Sequence, residues 1–293
     1  MQRKLLVIDG NALFHRSRNA LKRGAGELKT SWGQPVTGSY GVLSTLFSTL
    51  EKEDYDAVLP VFDAGGNFRK KEDTDYKANR GPSDDSFKAD ITLLREELLF
   101  YLGFNPLAIP GYEADDIIAS VAKSSVGFSS IDILTCDRDL LACVSERVNV
   151  ILFNSAKKVE RVDPDGVRRI FGVEPKDVPI FKALAGDSSD NIAGLKGVGP
   201  KGAVKIIEDC LSNDSELPLS DRICFHPKVK DRAGDFLANL RLTTMVDDLD
   251  VRWLANTPPT EGTVRSVFEQ SEFGSFLKEA RFKKILKALK ATN

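Results

Sequence analysis

Three short apolar segments of this chain are each followed by an aspartate, directly or one residue later. They are Lys4–Ile8 before Asp9, Ala57–Phe62 before Asp63, and Ile131–Thr135 before Asp137. Helix-like stretches separate them, and strands that alternate with helices form parallel sheets joined by right-handed crossovers. Because ligands of such sheets bind beyond the carboxyl ends of the strands, the three aspartates are predicted to converge at one edge. One such aspartate is often only a helix N-cap, but three together indicate a site.

The rest of the sheet follows from the same pattern. Asn149–Ser155 is a further apolar segment and predicts a fourth strand, whereas Pro60 weakens the second one slightly, because proline prefers edge strands or bulges. We therefore predict an α/β fold with a mostly parallel central sheet flanked by helices. The remainder, from about Val173 to Asn293, is predicted to be mostly helical.

The composition limits the class of protein. With 293 residues, of which 42% are hydrophobic, the chain can form one large domain or two ordinary ones. The formal net charge of -2 gives no overall sign of a nucleic-acid or membrane-surface protein. The four cysteines lack CxxC spacing, and no run of about 18 apolar residues occurs, so neither a zinc site, a disulfide framework nor a membrane span is expected. We expect a cytoplasmic protein.

A second group of acids lies in the sequence GYEADD. Glu113, Asp115 and Asp116 stand at the start of a predicted helix, Ala114–Lys123. Acids in a first helical turn complement the helix dipole, which is the ordinary explanation. Carboxylates this close also raise one another's pKa unless a cation neutralises them, and an oxygen-only cluster suits Mg²⁺ or Mn²⁺.

More acids follow the third strand and the helix that ends near Ala185. Asp139 comes two residues after Asp137, and Asp187 and Asp190 lie three residues apart in ALAGDSSDNIAG. Gathered at one sheet edge, so many carboxylates require divalent cations, and two such ions can clamp the attacking and leaving oxygens of a phosphodiester. Histidine-based metal sites and Ser-His-Asp catalysis are not expected, because the chain has only two histidines.

A long segment between the second strand and the GYEADD helix combines basic and aromatic residues. The basic residues are Arg69, Lys70, Lys71, Lys77 and Arg80, and the aromatic ones are Phe68, Tyr76 and Phe87. This mixture favours backbone neutralisation and base stacking on a single strand, although nearby acids also fit a solvated charged loop. Lys77 and Arg80 are candidates for stabilising charge that develops on a scissile phosphate.

A glycine-rich turn follows the last acid pair. Its glycines 197, 199 and 202 superficially resemble a dinucleotide-binding loop, but the turn follows a helix rather than a strand and contains Pro200. A hairpin between two helices, with Lys196 and Lys201 beside it, instead offers N–H and ammonium groups to a phosphate chain. An ordinary helix connection is the alternative.

Taken together, these motifs resemble the 5′-nuclease domain of bacterial DNA polymerase I and its stand-alone flap-endonuclease relatives. The segments that carry the resemblance are VIDGNALFHR, VFDAGGNFR with YKANR, PGYEADDIIAS, ILTCDRDL, ALAGDSSDNIAGLKGVGPKGA and FEQSEFGSFLKE. The resemblance implies a PIN-like nuclease core over residues 1–172, with a helical arch insertion at about 66–95. It implies a helical DNA-binding region with a helix-hairpin-helix over residues 173–293.

The resemblance also implies a division of the site residues. The first metal ion would be held by Asp9, Asp63, Glu113 and Asp115, with Asp116 either a ligand through water or a first-turn acid. The second would be held by Asp137, Asp139, Asp187 and Asp190. The implied DNA-binding residues are Arg16, Arg69, Tyr76, Lys77, Arg80, Lys196, Gly197, Gly199, Lys201 and Gly202, and a potassium ion is implied at the helix-three-turn-helix.

Two departures from the family pattern affect the arch and not the acids. Asp63 is followed by AGGNFR without the usual proline before the Phe-Arg pair, and Arg18 and Asn19 replace residues of other types. We expect a monomeric, stand-alone 5′ to 3′ exonuclease and flap endonuclease for DNA flaps, nicks and ends in replication and repair. RNA–DNA hybrids are further expected substrates, and a DNA polymerase acting in trans is an expected partner. A PIN-like endoribonuclease and a non-catalytic DNA-junction binder remain as alternatives.

Overall fold

A five-stranded sheet forms the centre of the protein. The computed structural model describes residues 3–81, 83–124, 127–155, 158–212 and 215–292. The strands are β1 (Lys4–Asp9), β2 (Ala57–Val61), β3 (Ser130–Thr135), β4 (Val148–Ser155) and β5 (Lys158–Val162), in the order β2-β1-β3-β4-β5. All neighbours are parallel except β4 and β5, which pair antiparallel. The carboxyl ends of β1, β2 and β3 therefore lie at one edge.

Both faces of the sheet are covered, as expected when strands are continuously apolar. Successive residues of β1 alternate between the faces, with Leu6 and Ile8 in one core cluster and Leu5 and Val7 in the other. The first face is covered by α1 (Gly10–Ala25), α2 (Thr37–Leu50), α4 (Asp85–Leu93), α5 (Leu99–Tyr101), α12 (Glu261–Gln270) and α13 (Glu279–Ala291). A π-helical turn, Leu94–Leu98, joins α4 to α5.

The second face is covered by α6 and by the helices that follow the sheet. They are α6 (Ala114–Ser124), α7 (Pro164–Phe171), α8 (Val178–Ala185), α9 (Pro200–Leu211), α10 (Leu219–Cys224) and α11 (Ala233–Thr243). Short 3-10 turns occur at Asp139–Cys143, Pro175–Asp177 and Lys230–Arg232. Helix α8 packs against both α9 and α11, so the residues between α8 and α9 are held by a small helical bundle.

The predicted α/β architecture is confirmed, including the fourth strand and the edge position of the strand that contains Pro60. Strand β5 was not predicted, because KVERV is short and mostly polar. Residues 66–95 contain α3 (Arg69–Glu72) and the whole of α4, and the described residues between these helices form turns without a further helix. Across the described ranges, no helix is long and apolar enough to cross a bilayer.

Candidate metal and nucleic-acid site

Two strand-end aspartates, Asp9 and Asp63, are held at the sheet edge by hydrogen bonds from the ends of neighbouring helices and strands. Asp9 caps helix α1, where its Oδ1 accepts from the Ala12 N–H at 3.0 Å, and its Oδ2 accepts from the Thr135 hydroxyl at 2.6 Å. Asp63 Oδ1 accepts from the Ala114 N–H at 2.8 Å, which ties the end of β2 to the start of α6. Asp9, Asp63 and Asp137 line one cleft at this edge, so the predicted convergence of the strand-end acids is present.

Asp137 joins the same edge through the end of β3. Its N–H donates to Thr135 Oγ1 at 2.9 Å, and its Oδ1 accepts from the Asp139 N–H at 2.9 Å. Thr135 therefore contacts both Asp9 and Asp137. Thr135 was not predicted as a site residue. The signal that could have found it is its position as the last residue of β3, two residues before Asp137.

Two adjoining clefts open along this edge. The first, of about 520 Å³, is lined by Asp9, Asp63, Glu113, Asp115 and Asp137 together with Arg16, Lys77 and Arg80. The second, of about 450 Å³, is lined by Asp137, Asp139 and Asp187 together with Arg80 and Lys182. Because Asp137 and Arg80 line both clefts, the two predicted carboxylate groups form one continuous acidic surface with basic side chains at its border.

Lysines are paired with acids in both groups. Lys77 donates to Glu113 Oε1 at 2.5 Å, and Lys182 donates to Asp139 and, at 2.7 Å, to Asp187 Oδ2. Lys182 was not predicted as a site residue. Its position in the helix that precedes Asp187, five residues earlier, is the signal that could have found it.

Burial and mutual repulsion disfavour the charged forms of several acids. Burial is the largest cause that raises the pKa of Asp9, Asp115 and Asp139, and the nearby Asp137 carboxylate raises all three further. For Asp187, burial acts to raise the pKa, but the Lys182 ammonium and the hydrogen bonds from Ser189 together outweigh it, and the pKa is lowered. Added positive charge would favour the ionised carboxylates.

The donor set fits a hard divalent cation, because it consists of carboxylate oxygens at the border of solvent-accessible clefts. Among the described residues, however, no three acidic, histidine or cysteine side chains stand together as a ready metal site. The lysine pairs account for part of this arrangement, since Glu113, Asp139 and Asp187 already have ammonium partners.

Asp116 lies apart from the clefts, and its placement corrects the prediction that it could be a ligand. It is fully buried, with an exposed fraction of 0%, and pairs with Arg69 at 2.7 and 2.9 Å. The predicted DNA-binding residue Arg69 is 2% exposed, so it cannot reach a strand of DNA in this conformation. Both residues form an internal ion pair instead.

Tyr76 is also buried, at 3% exposure, and its hydroxyl lies within hydrogen-bond distance of the carboxylates of Glu113 and Asp190, at 2.9 and 3.1 Å. It therefore offers no open ring for base stacking, contrary to the prediction. Asp190, which is predicted to be a ligand of the second metal ion, lines neither cleft, and its Oδ1 accepts from Arg80 at 2.8 Å. Arg80 remains half exposed at the border of both clefts.

The predicted hairpin is present between α8 and α9. Leu195 N–H donates to the Leu184 carbonyl at 2.9 Å, and Val198 N–H donates to the Leu195 carbonyl at 2.9 Å, which closes the turn. Gly194 has a φ of 68°, and a Cβ there would lie 2.4 Å from the Gly186 nitrogen, so only glycine fits. The predicted residues of the turn lie outside both clefts: Lys196, Gly197, Gly199, Lys201 and Gly202.

Comparison with known proteins identifies two family models that together match residues 4–261. Residues 4–172 match the 5′-3′ exonuclease N-terminal resolvase-like domain, and residues 173–261 match the 5′-3′ exonuclease C-terminal SAM fold. A 5′-3′ exonuclease of Aquifex aeolicus is 35% identical over 283 residues, which cover 94% of each chain. A thermostable DNA polymerase I of Thermus thermophilus is 36% identical over 284 residues. That match covers 94% of this chain, which spans about a third of the polymerase's length.

Solved structures confirm the fold. The bacteriophage T5 5′-exonuclease, solved with zinc ions bound, aligns with a TM-score of 0.64 at 18% identity and covers 99% of this chain and 100% of its own. Flap endonuclease-1 of Methanococcus jannaschii aligns with a TM-score of 0.64 at 16% identity and covers 100% of this chain and 94% of its own. The architecture and the two matching family models lead to one conclusion: this chain belongs to the 5′-3′ exonuclease family.

Proposed function

We propose that this protein is a metal-dependent 5′ nuclease that acts on DNA as a 5′ to 3′ exonuclease and a flap endonuclease. The observation that carries the proposal is the pair of adjoining acidic clefts that share Asp137 and Arg80. Family membership supports the reaction class, since the Aquifex aeolicus relative with matching length is named a 5′-3′ exonuclease.

In this proposal two divalent cations, Mg²⁺ or Mn²⁺, are held in the clefts. Asp9, Asp63, Glu113 and Asp115 would hold the first, and Asp137, Asp139 and Asp187 the second. Asp190 would act indirectly, by orienting Arg80. Bound there, the ions would activate a water and neutralise charge on the scissile phosphate. The oxygen-only donor set supports this choice of ions.

The basic side chains at the cleft border would act on the same phosphate. Arg80 is half exposed and fixed by Asp190, so its guanidinium can face a phosphate without losing its orientation. Lys77 is nearer the first acid group and is held by Glu113. Charge placed in advance beside the reacting group stabilises the transition state more than the ground state.

The hairpin after α8 would bind the duplex portion of the substrate. Lys196 and Lys201 are exposed, and Gly199 has no heavy atom within 4 Å of a Cβ position, so a phosphate can approach its backbone. We extend the proposal to residues 1–172 as the cleavage unit and 173–293 as the duplex-binding unit, and to a potassium ion at the hairpin.

The proposed setting is DNA replication and repair, with removal of RNA primers or flaps and a DNA polymerase acting in trans. The relatives that are DNA polymerase I proteins support this setting, because in them the matched region is part of a polymerase chain.

The test is a cleavage assay with end-labelled 5′-flap, nicked, blunt and single-stranded DNA and with a matched RNA hairpin, each with Mg²⁺ or EDTA. We expect Mg²⁺-dependent cleavage near the flap junction and release of short products from 5′ ends. Preferential cleavage of the RNA would support an endoribonuclease instead. DNA binding without cleavage under all metal conditions would support a junction-binding protein.

A further inference from the structure

Arg69 joins three parts of the chain that are far apart in sequence. Its Nε donates to the Leu242 carbonyl at 3.0 Å, and one terminal nitrogen donates to the Thr244 carbonyl at 2.8 Å. The guanidinium also pairs with Asp116 through both of its terminal nitrogens. Arg69 itself lies in the short helix α3 at the base of the arch segment.

Asp116 is bound as completely as Arg69. Besides the two contacts with Arg69, its Oδ1 accepts from the Val246 N–H at 2.9 Å and its Oδ2 accepts from the Glu113 N–H at 3.2 Å. The aspartate therefore fixes the first turn of α6 and the chain that leaves α11. Four N–H donors around a buried carboxylate leave it no open side for a metal ion or water.

The pair also reaches the cleft directly. Arg69 donates to Glu113 Oε2 at 3.2 Å, and Glu113 lines the first cleft. On the opposite side, the Leu242 and Thr244 carbonyls lie at the end of α11, which packs on α8, and α8 leads into the hairpin. A continuous path of packed elements thus runs from the hairpin through α11 and Arg69 to Glu113.

We infer that the Arg69–Asp116 ion pair is a positioning pair that couples duplex binding at the hairpin to the placement of Glu113 and the arch base. This inference rests on the proposed function. Burying an ion pair gives little net stability compared with apolar residues of the same size, so stability alone is a weak reason for this one. Its arginine, by contrast, uses directional N–H groups to fix three segments at once.

The variants Arg69→Lys and Asp116→Asn test the coupling. Lysine keeps the charge but cannot contact Asp116, Glu113 and two carbonyls together, and asparagine keeps the shape of Asp116 but removes its charge. We expect each variant to lower kcat on a 5′-flap substrate at least about tenfold per folded molecule. KM is expected to stay within about twofold, because the hairpin is untouched.

Asp132→Asn is the matched control. Asp132 is a buried aspartate, 1% exposed, that pairs with Arg161 and accepts from the Tyr55 hydroxyl, on strand β3 outside both clefts. A similar fall in urea midpoint with an unchanged kcat is expected for this control. If Arg69→Lys and Asp116→Asn also leave kcat per folded molecule unchanged, the pair is only structural and the inference is wrong.

Hydrogen exchange gives a readout that does not need turnover. A blunt duplex bound in Ca²⁺ is expected to protect wild-type amides both in the hairpin, Gly194–Gly202, and at the arch base, 68–77. In Asp116→Asn, protection is expected to remain in the hairpin and to be lost at the arch base. Protection of both regions in the variant, or of the hairpin alone in the wild type, would overturn the coupling. A wild-type protein that binds the duplex but cleaves none of the DNAs would overturn the proposed function and leave this measurement decisive.

Discussion

Lys77 Nζ lies 2.5 Å from Glu113 Oε1, and this contact ties the segment 66–95 to the residue that precedes α6. The lysine is held at both ends, because its backbone N–H donates to the Asp190 carbonyl at 3.0 Å. Its φ of 55° is uncommon for a residue other than glycine, and such backbone strain often occurs at functional sites. The arrangement places a fixed ammonium group at the border of the first cleft.

Lys77→Ala should therefore affect catalysis more than binding. Removing one fixed charge beside a reacting phosphate costs about 100-fold in rate, which corresponds to about 2.7 kcal/mol of transition-state stabilisation. We expect a loss of this size in single-turnover cleavage of a 5′-flap, with DNA affinity within about threefold of the wild type. Lys70→Ala, an exposed lysine of the same segment, is the control. Equal single-turnover rates in wild type and Lys77→Ala would show that Lys77 serves only to hold Glu113.

Asp137→Asn should abolish cleavage while preserving duplex binding. Asp137 lines both clefts, whereas the hairpin residues line neither. The change therefore removes a proposed metal ligand and leaves the proposed duplex-binding hairpin intact. Loss of a group that only supports a ligand costs about 10–100-fold, so we expect at least about 100-fold here. Cleavage with Mg²⁺ and binding with Ca²⁺ are measured on the same flap DNA. Asp250→Asn, an exposed acid paired with Arg252, should behave as wild type. Undiminished turnover in Asp137→Asn would contradict the metal assignment.

Lys182→Met should change the response of the protein to divalent ions. Lys182 neutralises Asp139 and Asp187, so replacing its ammonium leaves two carboxylates without their cation. The variant is expected to melt at a lower temperature in EDTA and to gain more in Tm on addition of Mg²⁺ than the wild type does, because ligand binding to the native state stabilises it. Lys176→Met, on the neighbouring 3-10 turn, is the control. An identical Mg²⁺-dependent gain in both variants would mean that Lys182 does not compete for this site.

The acids that end the strands could be predicted from the sequence for a simple physical reason. Parallel strands place their carboxyl ends at one edge, so Asp9, Asp63 and Asp137 converge once the alternation of strands and helices is recognised. The glycine hairpin could likewise be located, because Gly194 and Gly197 occupy positive φ values that the surrounding helices require.

The incorrect predictions concern residues whose contacts are made by segments that are distant in sequence. Arg69 stands in a basic run that predicts an exposed surface, yet Asp116, Leu242 and Thr244 enclose it. The burial of Tyr76 could not be predicted for the same reason, because its partner Asp190 lies 114 residues away in sequence. The local spacing of basic and aromatic residues in the sequence carries no information on partners that are so distant. Burial of a charged side chain therefore has to be read from tertiary structure.

Glu27 should contribute stability that depends on pH. Its hydrogen bond with Ser86, followed by that with Lys22, lowers its pKa from 4.5 to about 2. Because the pKa is lower in the folded state, the stabilisation is fully present above about 4.5 and is lost as the pH falls towards about 2. The group is near the surface, so we expect Glu27→Gln to cost about 1 kcal/mol at pH 7. Urea unfolding of both proteins between pH 7 and 3 should show this difference shrinking with falling pH. A difference that stays constant over that range would contradict the assignment.

Gly199→Val tests the proposed binding of duplex DNA by the hairpin, with little disturbance of the fold. Gly199 has a φ of -91°, which suits any residue, and a Cβ there would meet no heavy atom within 4 Å. A valine should therefore fold but project towards a bound phosphate and block its approach to the backbone. We expect duplex affinity to fall about tenfold and the slope of log affinity against log salt to become shallower, since fewer counterions are released. Fluorescence anisotropy with a labelled duplex at several salt concentrations measures both. Gly274→Val, which also has open space around the Cβ position and lies after α12, is the matched control. If Gly199→Val binds as the wild type does at every salt concentration, the phosphate is held elsewhere and the hairpin is only a helix connection.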